Sequence, residues 1–522
     1  MCMSWSQFLY EAAVWPFLRE QRNVLAWILS AVLTIYLLHT SLREGVNGHD
    51  TCDFAGQWMH GRAFYRMEMS GLYTVESGKG WLAEGYEGKE YDRQVNDVLK
   101  KGSRTELFDE GIAGPLYPPT ATIPFSVFAQ FKPAVAHAVV VCVYLALCYA
   151  CGWFISQSTN RRIQWSEATL LTLFFPNNFM GLMLGQNQVL TLFILTAGWY
   201  CHARRLPFLA GLVWGLFAYK PVFAVALLLI PVVYRSPRWF LGMAISGMLF
   251  VAATLPYGGI EPWLRWLRVG KHAEEIYQID RNWVWMSRDL VGLPRRKMWD
   301  TQSFLDVMRH NVGVFQPGAV WTVSGTDGNV YTRPQFWLFW GEDFNWEKHQ
   351  LVYFEFDKQG APVTFIHLTI IGYALLITVA LGTVLVGWRV IPPYEQASNA
   401  MVFGPPAIFV LTGSLLCVFH FMHYDLVSFA LPVLLAVAQW KDGPRVRQVF
   451  MLAWYMFWLF RTYSFFFGNA ILEVPWETYL LLLLWLWMGW CAWADTSVTR
   501  GVSRSKPMHP VQPASPTYPP AN

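Results

Sequence analysis

Two aspartates, Asp50 and Asp53, stand three residues apart in GVNGHDTCDFAGQW, residues 45–58, directly after an apolar stretch. A carboxylate held at a membrane edge can take the proton from a hydroxyl as that hydroxyl attacks a carbon centre. As plain structure, the same acids are solvated loop residues, or caps of a helix that starts near Phe54. Lys220 is harder to dismiss. It stands inside LVWGLFAYKPVFAVALLL, and a cation near the bilayer centre costs about 2.5 kcal/mol or more. The lysine can snorkel, but Pro221 breaks the helix beside it, which suits a purpose-built site for an anion such as phosphate. Late in the chain His420 and His423 lie three apart, so a helix would put them on one face, next to Tyr424 and Asp425. Structural histidines at a membrane edge look the same. Tyr117-Pro118-Pro119 stiffens a loop or starts a helix. Gln186 and Asn187 in GQNQ, residues 185–188, make a polar turn or a set of sugar contacts. Arg281 and Asn282 add polar groups in a long loop. His49, Asp50 and Asp53 are possible Mn²⁺ or Zn²⁺ ligands, but the spacing matches no strong metal motif; no metal or other cofactor is expected.

The elements that position these residues follow from composition. The chain has 522 residues, 54% hydrophobic and only 14% charged, against about 25% charged in ordinary soluble domains. Twelve apolar segments recur, at about 24–41, 134–155, 168–184, 187–201, 207–219, 222–234, 239–256, 364–388, 401–420, 424–440, 446–467 and 477–494. The fold class is therefore an all-α polytopic membrane protein, a bundle of about twelve (10–13) transmembrane helices. Several segments are shorter than the roughly 20 residues of a straight span. Those over 207–234, split at Lys220-Pro221, read as broken or re-entrant helices.

With the N-terminus cytoplasmic, Arg19, Arg22, Arg161, Arg162, Arg204, Arg205, Arg235, Arg238, Arg389 and the basic clusters at 441–447 and 500–506 all fall on the cytoplasmic side. The chain then divides into an interfacial amphipathic helix at 1–22, a module over 23–256 with a first external loop at 42–133, a second external loop at 257–363, spans over 364–496, and a disordered Pro-rich cytoplasmic tail at 497–522. VWTVSGTDGNVYT and LVYFEFDKQGAPVTF read as hairpins, so the second loop is expected to be a small β-containing insertion. The net charge of +4 is thinly spread and argues against nucleic acid as a partner. Most of the eight cysteines lie in apolar segments, so no disulfide framework is implied. The polar groups singled out above converge, from separate segments, on the outer face.

With these residues in view, the chain resembles glycosyltransferase family 87, membrane enzymes of the GT-C fold that use polyprenyl-phosphate sugars. The resemblance rests on CDFAGQWMHGRAFYR after the first span, YPPTATIPF before the second, GQNQVLTLFIL followed by ARRLPFLAGLVWGLFAYKP, and HFMHYDLVSFALPVLL late in the chain, in the family's order. It implies a GT-C-like bundle in the plasma (inner) membrane, with both termini cytoplasmic and the active site on the periplasmic or extracellular face. It implies transfer of a hexose, mannose first, from a polyprenyl-phosphate sugar to a glycolipid or glycan acceptor. Asp53 in the Asp-Phe pair matches the family's acidic residue, the general base, better than Asp50 does. Lys220 matches the lysine that holds the donor phosphate, and His423 the late histidine. The long loop at 257–363 departs from the family; in DRNWVWMSRDLVG, Asn282 is the nearest match to its polar stretch.

A single carboxylate with direct displacement inverts the anomeric centre; retention asks for a second carboxylate as nucleophile. Asp53 is thus the expected base, with Asp50 as competitor. Lys220, His423 and His420 are the expected donor-phosphate ligands. Tyr117, Gln186, Asn187, Arg281, Asn282 and Asp425 are the expected substrate contacts. Two rivals remain. A lipid-linked sugar transporter or flippase suits a broken span with a lysine, but the interrupted region occurs once rather than in paired halves. Another GT-C enzyme, such as a protein O-mannosyltransferase, tends to carry an adjacent Asp-Glu pair in its first external loop, which this chain lacks.

Overall fold

The computed structural model describes residues 15–43, 48–100, 105–175, 177–279, 287–294, 321–324, 330–333, 366–396, 400–439, 453–454, 456 and 476–502. They are mostly helical. The main helices are α1 (Trp15–Leu42), α2 (Cys52–Tyr65), α3 (Thr122–Ala129), α4 (Pro133–Ser158), α5 (Trp165–Leu173), α6 (Asn178–Met183), α7 (Gln188–Ala203), α8 (Pro207–Gly215), α9 (Pro221–Leu227), α10 (Pro237–Ala252), α11 (Glu261–Ile279), α12 (Ile366–Val390), α13 (Pro405–Leu416), α14 (Ala430–Gln439) and α15 (Trp476–Val502). Among the described residues four helices are long and apolar enough to cross a membrane: Gln21–Leu42, Pro133–Ser158, Pro237–Gly258 and Ile370–Val390. Four shorter apolar helices join them, Pro207–Tyr219, Pro221–Val233, Pro405–Leu416 and His423–Gln439. The segment expected over 168–184 is two helices, α5 and α6, because Asn177 takes a left-handed conformation at φ 69°. The segment at 446–467 lies almost wholly outside the described residues.

One face of α1 shows why these helices need lipid. Val24, Leu25, Ile28, Val32 and Ile35 recur at helical spacing and stay exposed, Ile35 by 68%. Water would not tolerate such a stripe. Where helix meets helix, small residues let backbones touch. A Cβ on Gly211 of α8 would fall 2.1 Å from the Trp239 carbonyl oxygen of α10. One on Gly242 would fall 2.3 Å from the Phe208 carbonyl oxygen, so the crossing is locked from both sides.

The loop after α1 is built rather than loose. Thr51 caps α2, its hydroxyl accepting from Phe54 N at 3.3 Å and donating to the Leu184 carbonyl at 2.8 Å. That second bond ties the cap to the turn before α7. Helix α2 then packs on α3 so closely that a Cβ on Gly61 would meet the Phe125 carbonyl at 2.3 Å. The second loop opens with α11, which lies against the first: Trp266 Nε1 donates to the Leu116 carbonyl at 2.9 Å and Arg265 Nη1 to the Ser70 carbonyl at 2.8 Å. Further on, β1 (Trp321–Ser324) pairs antiparallel with β2 (Val330–Arg333), Trp321 opposite Arg333. The turn between them, the other expected hairpin, residues 1–14 of the expected interfacial helix and the tail beyond 502 lie outside the described residues. Helix α15 runs to Val502, into the stretch expected as tail.

The break at Lys220-Pro221 is present. After α8 the chain tightens into a 3₁₀ turn at Leu216–Tyr219, Lys220 turns out of helical geometry at φ −142°, ψ 72°, and Pro221 starts α9. Proline has no N–H to give the preceding turn, so the helix cannot run through. The two ends of the bundle differ. The turns after α4, after α7 and before α10 bring Arg161, Arg204, Arg205, Arg235 and Arg238 to one end, several in left-handed turns. The opposite end carries Asp53, Tyr117 and the 185–188 turn.

Candidate functional site

Asp53 occupies the first turn of α2 and is partly buried. The Gln186 side-chain amide donates to its carboxylate. Gln186 in turn accepts from the Tyr117 hydroxyl at 3.2 Å. Tyr117 accepts from Gln57 Nε2 at 3.2 Å, and the same amide donates to the Gly185 carbonyl at 3.0 Å. The bonds all run one way, Gln57 to Tyr117 to Gln186 to Asp53, so the chain delivers an N–H to the carboxylate. Burial pushes the Asp53 carboxyl up to about 6, and the Gln186 bond pulls against that rise. Burial, helped by the Asp53 and Asp425 carboxylates, raises the Tyr117 hydroxyl well above its usual value, which keeps it a donor. Gly185 is required here: it sits at φ 65°, and a Cβ would stand 2.7 Å from Phe54.

Behind Tyr117 lies a second layer. His60 of α2 is fully buried, its Nε2 3.1 Å from the Tyr73 hydroxyl, and Tyr73 donates to the Tyr117 carbonyl. Burial lowers His60 to about 4, so its ring is neutral.

Lys220 is joined to Asp425 by an ion pair, with 12% and 1% of the side chains exposed. Its Nζ lies 5.0 Å from the Phe223 ring centre and 5.8 Å from that of Tyr424. Asp425 Oδ2 also accepts from Met422 N at 3.2 Å, which closes the 3₁₀ turn His423–Phe429. The pair therefore welds the break after α8 to the turn that carries the late histidines. Next to Lys220, the Tyr219 hydroxyl meets Thr191 Oγ1 of α7 at 2.6 Å, which links this region to the 185–188 turn.

His420 stands within electrostatic reach of Lys220. His423 is buried, and Asn177 Nδ2 donates to its carbonyl at 2.8 Å. The strip 287–293 holds this turn from the other side. Arg288 N donates to the Phe421 carbonyl at 2.7 Å, and Phe421 N donates to Asp289 Oδ2 at 3.4 Å. Arg288 is itself paired with Glu477 of α15 at 3.5 Å, both side chains buried.

Asp53, Tyr117, Gln186, Lys220, Asp425 and the histidine turn are thus brought together. Asn187 is fully buried beside Gln186, with neither amide atom hydrogen-bonded. Asp50 is placed differently. It pairs with His49 at 2.9 Å, and its carbonyl accepts from Arg93 and Gln94. Arg281 and Asn282 lie outside the described residues. Among the described residues no three His, Cys, Asp or Glu side chains form a metal-binding group. Gln57, His60, Tyr73, Arg288 and Glu477 escaped the sequence reading. The only trace of Gln57 and His60 is that they lie four and seven residues after Asp53, on the same helical face.

No curated protein and no solved structure matches the chain. A family comparison does give a match, over residues 116–323, and it takes in Tyr117, the 185–188 turn and Lys220 while leaving Asp53 and Asp425 outside. Over that stretch, less than half of the 522 residues, the chain is similar to glycosyltransferase family 87.

Proposed function

We propose that the protein is a membrane glycosyltransferase that moves a hexose, mannose first, from a polyprenyl-phosphate sugar to a glycolipid or glycan acceptor. The observation that carries this is the Asp53 carboxylate, raised to about 6 and oriented by Gln186, in a fold that also sets a lysine in a helix break. A base near neutrality suits abstraction from a hydroxyl. In this mechanism Asp53 takes the acceptor proton as the acceptor oxygen bonds to the anomeric carbon. The carbon–oxygen bond to the phosphate breaks, the configuration inverts, and the polyprenyl phosphate leaves with an extra negative charge. Lys220, held by Asp425, meets that charge, with donors from His423 and His420. Tyr117, Gln186 and Asn187 face the sugar hydroxyls, and Arg281 and Asn282 complete the acceptor side. Asp425 acts through Lys220.

The proposed setting is the plasma (inner) membrane. The Asp53 end faces the periplasm or exterior, both termini face the cytoplasm, and about twelve spans form a GT-C-like bundle. The insertion with β1 and β2 lies outside the membrane and helps select the acceptor.

The test uses purified protein in lipid nanodiscs with radiolabelled polyprenyl-phosphate-mannose and a lipid extract of the source cells. Wild type is expected to transfer label, Asp53→Asn and Lys220→Ala to lose transfer, and Asp50→Asn to keep it. Loss in Asp50→Asn alone would move the base to Asp50. A wild type that transfers nothing from several lipid-linked sugars, yet carries label across the bilayer, would make the protein a transporter.

A further inference from the structure

From Trp239 to Ile260 the chain carries no charged residue, and Glu261 then opens α11. Along the span Pro237–Gly258, Leu241, Met248 and Leu255 recur on one exposed face, the side that lipid covers. Gly259, at φ 65°, turns the chain at the end of the span, and α11 follows at once. The residues of α11 sort by helical spacing into three faces. Pro262, Val269 and Ala273 are buried. That face lies on the loop after α1, where Trp266 and Arg265 donate to the Leu116 and Ser70 carbonyls. Glu261, Arg265 and Arg268 make a charged flank, Arg265 paired with Glu261 at 3.3 Å and Arg268 with Glu110. Opposite the buried face stand Ile260, Leu264 and Leu267, exposed by 62%, 49% and 59%. A helix whose outer face met water would carry its charges there.

We propose that this face of α11 docks on the lipid surface and lies in the membrane interface. The stripe continues the lipid-covered face of the span, Ile260 coming five residues after Leu255. From Ile260 to Leu267 it covers about 10 Å of helix at 1.5 Å per residue, close to the roughly 5–10 Å to which interfacial helices sink their apolar side. Tyr257 is exposed at the same corner, and Trp263, partly exposed, donates from Nε1 to Thr254 Oγ1 at 3.3 Å. Tyrosine and tryptophan gather at this level of a bilayer. Lys271 comes next on the same face and is exposed, so the stripe ends in an ammonium that can reach lipid phosphates. Lipid contact here has a consequence for the bundle. Trp266 holds the Leu116 carbonyl, one residue before Tyr117, so the bilayer under α11 sets the height of the strand that leads to Tyr117. The docking itself does not depend on the transferase activity.

The test puts one nitroxide at a time on the full-length chain, in a cysteine-free background reconstituted in nanodiscs of phosphatidylcholine and phosphatidylglycerol. Electron paramagnetic resonance then compares collision with oxygen, which concentrates among acyl chains, and with a nickel chelate, which stays in water. Spin labels on Leu264→Cys and Leu267→Cys are expected to favour oxygen, as a label on Met248→Cys in the span does. A label on Glu261→Cys, on the charged flank of the same helix, is expected to reverse that preference. All four side chains are exposed, so the substitutions leave the core untouched. The proposal falls if the labels at 264 and 267 meet the chelate as freely as the one at 261, because the face then stands in water. It falls equally if both are shielded from oxygen and chelate alike, which would give the face to the chain's own loop or to a second copy.

Discussion

The chemistry of the proposed reaction turns on whether Asp53 is charged. Its carboxyl is held up to about 6 by burial, and a base must be deprotonated to act. The transfer rate in the lipid nanodisc assay should therefore climb about tenfold per pH unit below 6 and level off above it. A flat profile from pH 5 to 8 would remove Asp53 from the base role. Gln186 donates to the charged form and so holds the value down. Replacing it by leucine removes that donor, raises the carboxyl further, and should move the climb to higher pH. A merely structural glutamine would lower the rate without moving the profile. Asp53→Asn should cost about 10²- to 10⁴-fold in rate, the usual worth of a general base. Asp50→Asn should cost little, since Asp50 is engaged with His49 rather than with the Gln186 chain.

Two joints between elements govern whether the site exists. The first is the Lys220–Asp425 pair, which bridges the break after α8 and the turn before α14. With Asp425 1% exposed, Lys220→Ala would leave a buried charge alone, a loss of about 3–5 kcal/mol. Removing both partners should cost less than the sum of the two single changes, because the unpaired charge goes with its partner. Denaturant unfolding in detergent micelles measures this; strict additivity would mean the pair contributes nothing. The second joint is the α8–α10 crossing. Gly211→Leu would force the backbones apart by more than a side chain can yield, and folded yield should collapse, while Gly270→Ala, in open space on α11, changes it far less. The sequence shows the break, because a lysine before a proline in an apolar run has few other uses. It also marks Asp53, Tyr117, Gln186, Lys220 and Asp425, and the fold joins Asp53 to Gln186 and Tyr117, and Lys220 to Asp425. It cannot show the pairing of Lys220 with Asp425 across 205 residues, nor that Gln57 reaches Tyr117. Neither partner's spacing encodes the packing that brings it there. By spacing alone Asp50 and Asp53 look alike; the Asp-Phe pair favours Asp53, and the fold of the first loop gives the two acids different partners.

At the scale of the whole molecule the strongest asymmetry is charge. Arg161, Arg204, Arg205, Arg235 and Arg238 gather at one end, two of the turns fastening it further: Arg205 donates to the Tyr394 carbonyl at 3.2 Å and Arg235 to that of Ile391. Basic residues in short loops stay on the cytoplasmic side during insertion. The Asp53 end, with its long loops and the packed helices α2, α3 and α11, should then face outward. Cys52 offers a native reporter, being exposed in the first turn of α2 next to Asp53. In intact cells a membrane-impermeant maleimide should label the protein, and Cys52→Ala should lose that label. In the Cys52→Ala background Arg161→Cys, at an exposed turn, should be labelled only after the membrane is permeabilised. The reverse pattern would put Asp53 in the cytoplasm. It would then meet sugar nucleotides rather than an outward-facing lipid-linked donor, and the proposed donor would have to be abandoned even if the transferase activity stood.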